Sequence, residues 1–332
     1  MRMPTSLVCG GAGYIGSHMV RSLLEEGERV VVLDNLSTGR RDFVPAEALF
    51  IQGDVRDGEL LDRLLPQHDV NAVFLFASLI KVGESVSLPL AYYENNFVGA
   101  LRVVESMVRS RTPHFIFSSS AAVYGEPEAV PITEDMPLRP TNPYGETKLA
   151  VEQMLRWASE AHGFTYGALR YFNACGAIED ATLGEVQEPE THLIPLVLDA
   201  AIGEKESISV FGDDYDTPDG TCVRDYIHVM DLARAHLLTL DALRRGGGSK
   251  IYNLGNGRGF SVEEVIDACR SVTGLPIKVV RAPRRAGDPA RLIASSDRAR
   301  QELGWTPHYQ SLESIVETSW RWHRKRRGGR TA

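Results

Sequence analysis

Apolar segments of strand length alternate with amphipathic segments through the first half of the chain. The apolar runs occur at 5–9, 29–33, 48–52, 70–76, 115–117 and 166–172. Between several of these runs, hydrophobic residues recur at helical spacing, most clearly over 17–26 and 92–109. This alternation predicts an α/β fold with a parallel, doubly wound sheet. Right-handed crossovers would place the loops after the strands at one edge of that sheet, where ligands bind.

The regular alternation fades after Cys175. We therefore predict a first domain over 1–174 and a smaller, mixed α/β domain over 175–332, with some of its segments returning to the first domain. Within the second domain, the apolar pattern predicts a strand at 208–211 and a helix at 231–243.

A glycine-rich turn separates the first predicted strand from the first predicted helix. It reads Gly10-Gly11-Ala12-Gly13-Tyr14-Ile15-Gly16. Glycines here allow a sharp turn and let backbone N–H groups approach a pyrophosphate at the positive end of the helix dipole. Asp34 ends the next strand, where a carboxylate accepts hydrogen bonds from ribose hydroxyls and repels a 2′-phosphate. The unit predicts a Rossmann domain that binds NAD rather than NADP.

Length and composition restrict the classes of function. The 332 residues are 43% hydrophobic and 24% charged, as in globular proteins that bury a large core. A formal net charge of −8 argues against nucleic-acid binding. No apolar run reaches membrane length, so we expect no membrane partner. The four cysteines are scattered and form no Cys-x-x-Cys pair, which predicts reduced thiols in a cytoplasmic protein and no metal site.

Ser120, Tyr144 and Lys148 are the most informative reactive residues. Ser120 ends a predicted strand, and Tyr144 and Lys148 lie four residues apart on a helix that Asn142 and Pro143 are suited to begin. A free tyrosine has a pKa of ~10 and is a poor base at neutral pH. An adjacent ammonium and a positive nicotinamide ring would lower that pKa. The set predicts proton transfer by Tyr144, with Lys148 on the nicotinamide ribose and Ser120 on the reacting oxygen.

With these motifs, the sequence resembles the extended short-chain dehydrogenase/reductases and, within them, the UDP-galactose 4-epimerases. The resemblance covers nearly the whole chain. Residues 10–17, 34–39, 82–86 and 92–96 are similar to that family's cofactor motifs, and 118–125 and 142–148 to its catalytic motifs. Arg-Tyr-Phe-Asn at 170–173 and Val-Arg-Asp-Tyr-Ile-His-Val at 223–229 resemble its substrate-side motifs, which are specific well beyond the superfamily.

The resemblance assigns residues to three roles. It implies catalysis by Ser120, Tyr144 and Lys148. It implies contacts to NAD by Gly10, Gly13, Tyr14, Ile15, Asp34, Asn35, Asp54, Val55, Phe76, Ala77, Asn95, Tyr144, Lys148 and Tyr171. It implies a UDP-sugar pocket lined by Ser120, Tyr144, Asn173, His192, Leu193, Phe211, Arg224, Arg285, Asp288 and Leu292.

Some positions depart from the family pattern or have two interpretations. Leu75 stands where the family often has histidine, and Ala122 where it often has threonine. A lysine that contacts NAD in the family aligns with either Ile80 or Lys81. From the residues alone, Asp54 either receives the adenine amino group or caps the helix beginning near Asp57. Likewise, an amide of Asn95 or Asn96 either faces the cofactor or is exposed to solvent.

The resemblance implies reversible epimerisation at C4 of a UDP-hexose, through a 4-keto sugar and bound NAD. A related dehydratase would carry an acidic pair after the serine, and Ala121 and Ala122 stand there instead. One alternative is 4-epimerisation of another UDP-sugar, such as UDP-GlcNAc, UDP-xylose or UDP-arabinose. Another is a non-enzymatic NAD sensor or scaffold, which would have no use for the proton-transfer set.

Sugar selectivity and oligomeric state are further expectations. Leu292 takes the position whose bulk gates the sugar's 2-substituent in the family. Because leucine is intermediate in bulk, we expect UDP-glucose and UDP-galactose as the main pair, with side activity on the N-acetylated pair. The helices predicted over 92–109 and 144–162 resemble the family's dimer surface, so a homodimer is expected, although intramolecular packing would give the same apolar pattern.

Overall fold

The computed structural model describes residues 3–285 and 288–328. The strands are β1 (Thr5–Cys9), β2 (Arg29–Asp34), β3 (Leu49–Gln52), β4 (Val70–Leu75), β5 (His114–Ser120), β6 (Thr165–Tyr171), β7 (Asn173–Cys175), β8 (Ile208–Phe211), β9 (Val223–His228), β10 (Lys250–Leu254), β11 (Gly259–Ser261), β12 (Val279–Ala282) and β13 (Arg291–Leu292). The helices are α1 (Tyr14–Glu25), α2 (Gly58–Gln67), α3 (Val82–Ser87), α4 (Pro89–Tyr92), α5 (Gly99–Ser110), α6 (Pro143–His162), α7 (Leu193–Ala201), α8 (Val229–Arg244), α9 (Val262–Thr273), α10 (Asp297–Leu303) and α11 (Leu312–Arg326).

Seven parallel strands form the central sheet, in the order β10-β6-β5-β4-β1-β2-β3. The predicted doubly wound parallel sheet is therefore confirmed. The chain order reverses direction between β1 and β4, and at such a switch point the loops leave on opposite faces and open a crevice at the carboxyl ends of the strands. β10 enters this sheet from the second half of the chain and pairs with β6.

Alternate side chains of the strands fill two separate cores. On one face, Val8, Val32 and Ile116 pack with apolar residues of α1 and α8. On the other face, Leu7 and Phe117 pack with apolar residues of α2, α5 and α6. Burial on both faces explains why these strands appear in the sequence as continuous apolar runs.

A second group of elements covers the carboxyl end of the central sheet. β9 pairs with β7, β11 and β13, and β8 pairs with β12. Helices α7, α9 and α11 share a core with these strands. Among residues 3–285 and 288–328, no helix has both the length and the apolar character needed to cross a membrane.

Capping signals in the sequence set the boundaries of the helix that bears the predicted catalytic residues. The Asn142 side chain accepts a 2.9 Å hydrogen bond from the Gly145 amide, and Pro143 occupies the first position of α6. Proline suits this position because its missing N–H would have no intrahelical partner there. The helix ends at Gly163, whose φ of +77° favours glycine. The predicted cap therefore places Tyr144 in the first turn of α6.

Candidate active site

Glycines let the turn before α1 pack closely against neighbouring backbone. Gly10 has a φ of +80°, and a Cβ there would lie 2.5 Å from the Ala77 nitrogen. A Cβ on Gly16 would lie 2.1 Å from the Gly10 carbonyl oxygen. Gly13 precedes the helix without a side-chain cap, so the first-turn amides of Tyr14 and Ile15 have no intrahelical acceptor. Backbone donors at a helix N-terminus fit a phosphate group.

Asp34 is fixed beside this turn by backbone hydrogen bonds. One carboxylate oxygen accepts from the Ala12 amide at 2.9 Å, and the other from the Leu36 amide at 2.8 Å. A Cβ on Gly39 would lie 2.8 Å from the Asp34 carboxylate. Carboxylate oxygens retain further lone pairs beyond these two bonds, so Asp34 can still accept ribose hydroxyls.

Asp54 lies in a polar cluster after β3. It accepts a hydrogen bond from Asn35 at 2.9 Å and two from the Arg56 guanidinium at 2.8 Å. The Arg56 bonds hold the pKa of the Asp54 carboxyl well below its usual range. Asp57, whose side chain accepts from the Leu60 amide, caps α2. The capping interpretation of Asp54 was therefore wrong. Val55 is buried beside it.

Asn95 and Asn96 lie in a π-helical stretch, Tyr93–Val98, that joins α4 to α5. Asn96 is buried and bonds both backbone groups of Leu79, at 2.8 Å and 3.0 Å. Asn95 is half-buried and donates to the Asn96 side chain at 2.9 Å. Asn96 therefore pins the segment that follows β4, and neither amide is simply solvated. Nearby, Ile80 is exposed and Lys81 is half-buried.

The loop after β4 also contributes to this edge. Phe76 and Ala77 both donate backbone N–H groups to the Cys9 carbonyl, at 2.8 Å and 3.1 Å. The Phe76 ring lies 5.1 Å from the His236 ring, which fills the core beneath it. Leu75, the departure from the family pattern, is buried under α5 and α6.

Ser120 and Tyr144 meet where β5 and α6 converge. Ser120 is the last residue of β5, and its hydroxyl accepts from the Ala122 amide at 3.2 Å. A Cβ on Gly145 would lie 2.6 Å from the Ala122 carbonyl oxygen, so the absence of a side chain lets α6 approach this close. Burial raises the pKa of the Tyr144 phenol, and its hydrogen bond with Ser120 opposes that rise.

Lys148 is buried below Tyr144. Its ammonium donates to the Ser78 hydroxyl and to the Ser118 carbonyl, both at 2.8 Å. The same nitrogen lies 5.7 Å from the centre of the Tyr144 ring. Burial lowers the pKa of Lys148 to about 7, although the Glu152 carboxylate acts against that shift. The predicted serine–tyrosine–lysine set is thus brought together at the carboxyl edge of the sheet.

Several predicted substrate residues gather around β9. The Asn173 side chain donates to the Asp225 carbonyl at 2.9 Å. The Arg224 guanidinium donates to Asp288 at 2.5 Å. Leu292 pairs with Arg224 across β13 and β9 and packs in a cluster with Val123, Tyr124 and Phe172. The cluster places Leu292 beside the residues that follow Ser120.

The remaining predicted substrate residues form two pairs, and the first is joined to the β9 group because the Asp288 amide donates to the Arg285 carbonyl at 3.3 Å. The Arg285 guanidinium lies 3.9 Å from the centre of the Phe211 ring. Leu193 begins α7, and His192 immediately precedes it. The His192 ring bonds Glu185. Among the described residues, potential ligand atoms of Glu185, Glu190 and His192 lie within 4.8 Å of one another. Hydrogen bonds among these groups and the local backbone account for that arrangement.

Several polar contacts at this edge were not predicted from the sequence. Ser78 binds Lys148, and Asn96 binds the neighbouring Leu79 and so orders the loop that carries Ser78. Tyr171 was expected to contact the cofactor, but its bond to the Ser118 hydroxyl was not. Glu152 pairs with Arg170 and bonds Ser119. Of these, only Glu152 had a local signal, because it lies four residues after Lys148 on the same helix.

A dinucleotide cradle joined to a serine–tyrosine–lysine set defines a nucleotide-dependent enzyme of the Rossmann class. Residues 6–255 match the NAD dependent epimerase/dehydratase family, and the chain belongs to that family. This confirms the family resemblance found in the sequence.

The similarity to known members extends over nearly the whole chain. A UDP-glucose 4-epimerase of Halalkalibacterium halodurans is 54% identical over 319 residues, covering 96% of this chain and 95% of that protein. A crystal structure of a UDP-glucose 4-epimerase superposes with a TM-score of 0.96 at 53% identity, covering 99% of this chain and all of the other. The Bifidobacterium longum UDP-glucose 4-epimerase in complex with NAD⁺ and UDP gives 0.91 at 41% identity, covering 98% and 99%.

Proposed function

We propose that this protein interconverts UDP-glucose and UDP-galactose by reversible epimerisation at C4, with NAD as a tightly held cofactor. The observation that carries the proposal is the convergence of Ser120, Tyr144 and Lys148 at the carboxyl edge of a dinucleotide-binding sheet. This set performs proton transfer, which a sensor or scaffold does not need. The three relatives described above are named UDP-glucose 4-epimerases, which supports the same substrate pair.

The residues at the sheet edge fit NAD. Gly10 and Gly16 let the turn pack closely on neighbouring backbone, a Cβ on Gly13 would have no neighbour nearer than 3.4 Å, and the amides of Tyr14 and Ile15 face a pyrophosphate there. Asp34 receives ribose hydroxyls, and its charge disfavours a 2′-phosphate. The other proposed contacts to NAD are Gly13, Asn35, Asp54, Val55, Phe76, Ala77, Asn95, Tyr144, Lys148 and Tyr171. When bound, NAD accepts a hydride from the sugar and later returns it.

Tyr144 removes the proton from the sugar's 4-hydroxyl while the C4 hydride leaves the sugar. Lys148, as an ammonium 5.7 Å from the phenol ring, stabilises the phenolate form that performs this step. Ser120 bonds the same sugar oxygen and orients it toward Tyr144. The product is a 4-keto sugar. Tyr144 then returns the proton after the hydride has been delivered to the opposite face.

The sugar must present both faces of C4 to the cofactor, so the UDP half has to stay anchored while the sugar turns about its diphosphate linkage. Arg224 and Arg285 supply charge for the diphosphate. Phe211 offers a flat apolar surface for the uracil ring. The other proposed contacts to the UDP-sugar are Asn173, His192, Leu193, Asp288 and Leu292.

The two parts of the chain bind different ligands in this proposal. We propose that residues 1–174, together with returning segments such as β10, hold NAD, and that most of 175–332 binds the UDP-sugar. All four cysteines lie within the described residues, and each is buried without a disulfide. Unpaired cysteines support a reducing compartment such as the cytoplasm.

We also propose a homodimer formed through α3, α4 and α6. Large apolar side chains are exposed on these helices, among them Val86, Leu90 and Trp157, which are 63%, 83% and 63% exposed. Because α3 and α4 pack against α6, these exposed apolar side chains lie on neighbouring helices, which supports association there. The predicted dimer helices and this surface overlap at α6.

A panel of UDP-sugars tests the proposed reaction. We expect the protein to interconvert UDP-glucose and UDP-galactose faster than UDP-GlcNAc and UDP-GalNAc, and faster than UDP-xylose and UDP-arabinose. Chromatographic separation of the two epimers measures each rate. NAD-containing protein that turns over none of these sugars would support the sensor or scaffold alternative instead, and a preference for another pair would correct the substrate.

A further inference from the structure

A buried charged pair lies directly beneath the catalytic residues. Glu152 and Arg170 have side chains only 4% and 3% exposed. The Arg170 guanidinium donates to one Glu152 oxygen at 2.9 Å and to the other at 2.5 Å. It also donates to the Tyr124 hydroxyl at 2.8 Å. Two charges withdrawn from water this completely rarely add stability over an apolar pair, so another role has to be considered.

The pair reaches both elements that carry the catalytic groups. Glu152 lies four residues after Lys148, on the same face of α6. Its carboxylate accepts a 2.5 Å hydrogen bond from the Ser119 hydroxyl. The neighbours of Ser119 are Ser118, whose carbonyl binds Lys148, and Ser120, which bonds Tyr144. One carboxylate therefore ties the end of β5 to the catalytic face of α6.

We propose that Glu152 is a positioning residue for proton transfer: it fixes Ser119, and with it Ser120, against α6, and its negative charge keeps the buried Lys148 in the ammonium form. This inference rests on the proposed function. Arg170 holds the Glu152 carboxylate in place by donating hydrogen bonds to both of its oxygens. Glu152 acts through Ser120 and Lys148 and does not contact the substrate.

Other titratable groups around Tyr144 do not supply this charge. Tyr92 from α4 and Tyr171 from β6 face Tyr144. Burial raises the pKa of both phenols, so both are neutral near pH 7. The groups that bind the Lys148 ammonium, Ser78 and Ser118, are uncharged. Glu152 is therefore the carboxylate positioned to offset the burial of Lys148.

Loss of the Glu152 charge has a predictable direction. Burial already lowers the pKa of Lys148 to about 7, and removal of the carboxylate lowers it further. A neutral Lys148 no longer stabilises the Tyr144 phenolate, so the phenol then loses its proton only at higher pH. The acidic limb of the kcat profile should move upward, and kcat on that limb should fall about tenfold for each pH unit of displacement.

The test compares two double variants that each neutralise a charged pair. Glu152→Gln/Arg170→Met removes the pair at the active site, and of its two charges that of Glu152 is the one that acts on Lys148. Glu28→Gln/Arg244→Met is the matched control, because Glu28 also binds an arginine and a serine, Ser6, but at the opposite edge of the sheet. The readouts are kcat and KM for UDP-galactose across pH and the ultraviolet difference spectrum of tyrosinate, with Tyr144→Phe as the blank.

We expect the Glu152 double variant to shift the acidic limb and the Tyr144 titration upward, with KM changed less than kcat. The control should lose melting temperature only. A Glu152 double variant that loses stability but keeps the wild-type pH profile and Tyr144 titration would overturn the proposal. If that variant does not fold, Glu152→Asp decides, because withdrawing the carboxylate by one methylene should give a smaller shift in the same direction. Wild-type behaviour of Glu152→Asp would then contradict the role. Failure of the wild-type protein to turn over UDP-galactose would count against the proposed function, whereas the tyrosinate titration would still test Glu152.

Discussion

Tyr144 and Lys148 have pKa values displaced in opposite directions by the same cause. Burial raises the pKa of the phenol and lowers that of the ammonium to about 7. Burial thus acts against the charged form of both residues. The reaction needs the opposite state, a phenolate beside an ammonium. The reaction therefore depends on the polar groups that stabilise the lysine charge as much as on the catalytic residues. These groups are Ser78, Ser118 and Glu152.

Substitution of Leu292 tests which sugars the protein accepts. Leu292 lies beside Arg224 and the cluster that follows Ser120. We expect Leu292→Tyr to abolish side activity on the N-acetylated sugars and to spare UDP-glucose and UDP-galactose, because the ring would fill the space for the 2-substituent. A few methyl-sized groups are worth ~1–3 kcal/mol, or about 10–200-fold in preference. Rates on both sugar pairs measure the effect.

Leu292→Met is the matched control, because methionine has nearly the same volume without a ring. It should leave the ratio of the two activities close to that of the wild-type protein. Equal loss of both activities in Leu292→Tyr would show that this side chain does not gate the 2-substituent.

Residue identity was predicted from the sequence where a motif gives both type and spacing. The glycine turn, Asp34 and the pair of Tyr144 and Lys148 belong to this group. The contacts of Ser78 and Asn96 were not predicted, because their partners lie 70 and 17 residues away along the chain. Single polar residues without periodicity carry no signal of such pairing. Only the tertiary structure shows which residues pair.

At the scale of elements, local caps and turns were predicted more reliably than the internal form of the helices. Asn142 and Pro143 begin α6 as predicted. The helix expected over 92–109 does occur, but its first part is the π-helical stretch Tyr93–Val98. A π-turn shifts the register of the residues after it and is frequent at functional sites. Here it carries Asn96, which fixes the loop beside Lys148.

The exposed apolar surface of α3, α4 and α6 leads to a prediction about association. Trp157→Glu, on α6, should convert the proposed dimer to single chains, because a charge would be desolvated at the contact. Light scattering after size-exclusion chromatography measures the mass. Glu160→Lys, on the same helix, is a control for a change of charge that creates no new buried group. An unchanged mass for Trp157→Glu would contradict this surface as the dimer contact.

At the scale of the whole molecule, alternation along the first half of the chain predicted the parallel sheet and the edge that holds the site. The pairing of strands that lie far apart in the sequence could not be predicted from the local pattern. β10 appears in the sequence as one more short apolar strand, and nothing local shows that it pairs with β6. The same limit applies to β9, which joins β7, β11 and β13 and so brings Asn173, Arg224 and Leu292 together. The sequence predicted these residues through family resemblance rather than through local pattern.

Turnover of UDP-galactose by the protein as purified, without added cofactor, tests the central claim most directly. Nucleotide released from the same preparation reports the bound NAD. We expect near-stoichiometric NAD and formation of UDP-glucose. Tyr144→Phe should keep its NAD and lose ~10²–10⁴-fold in kcat, as expected for removal of a general base. Near-wild-type turnover by Tyr144→Phe would contradict the role of Tyr144 as the base. An empty protein that requires added NADP would contradict tightly bound NAD.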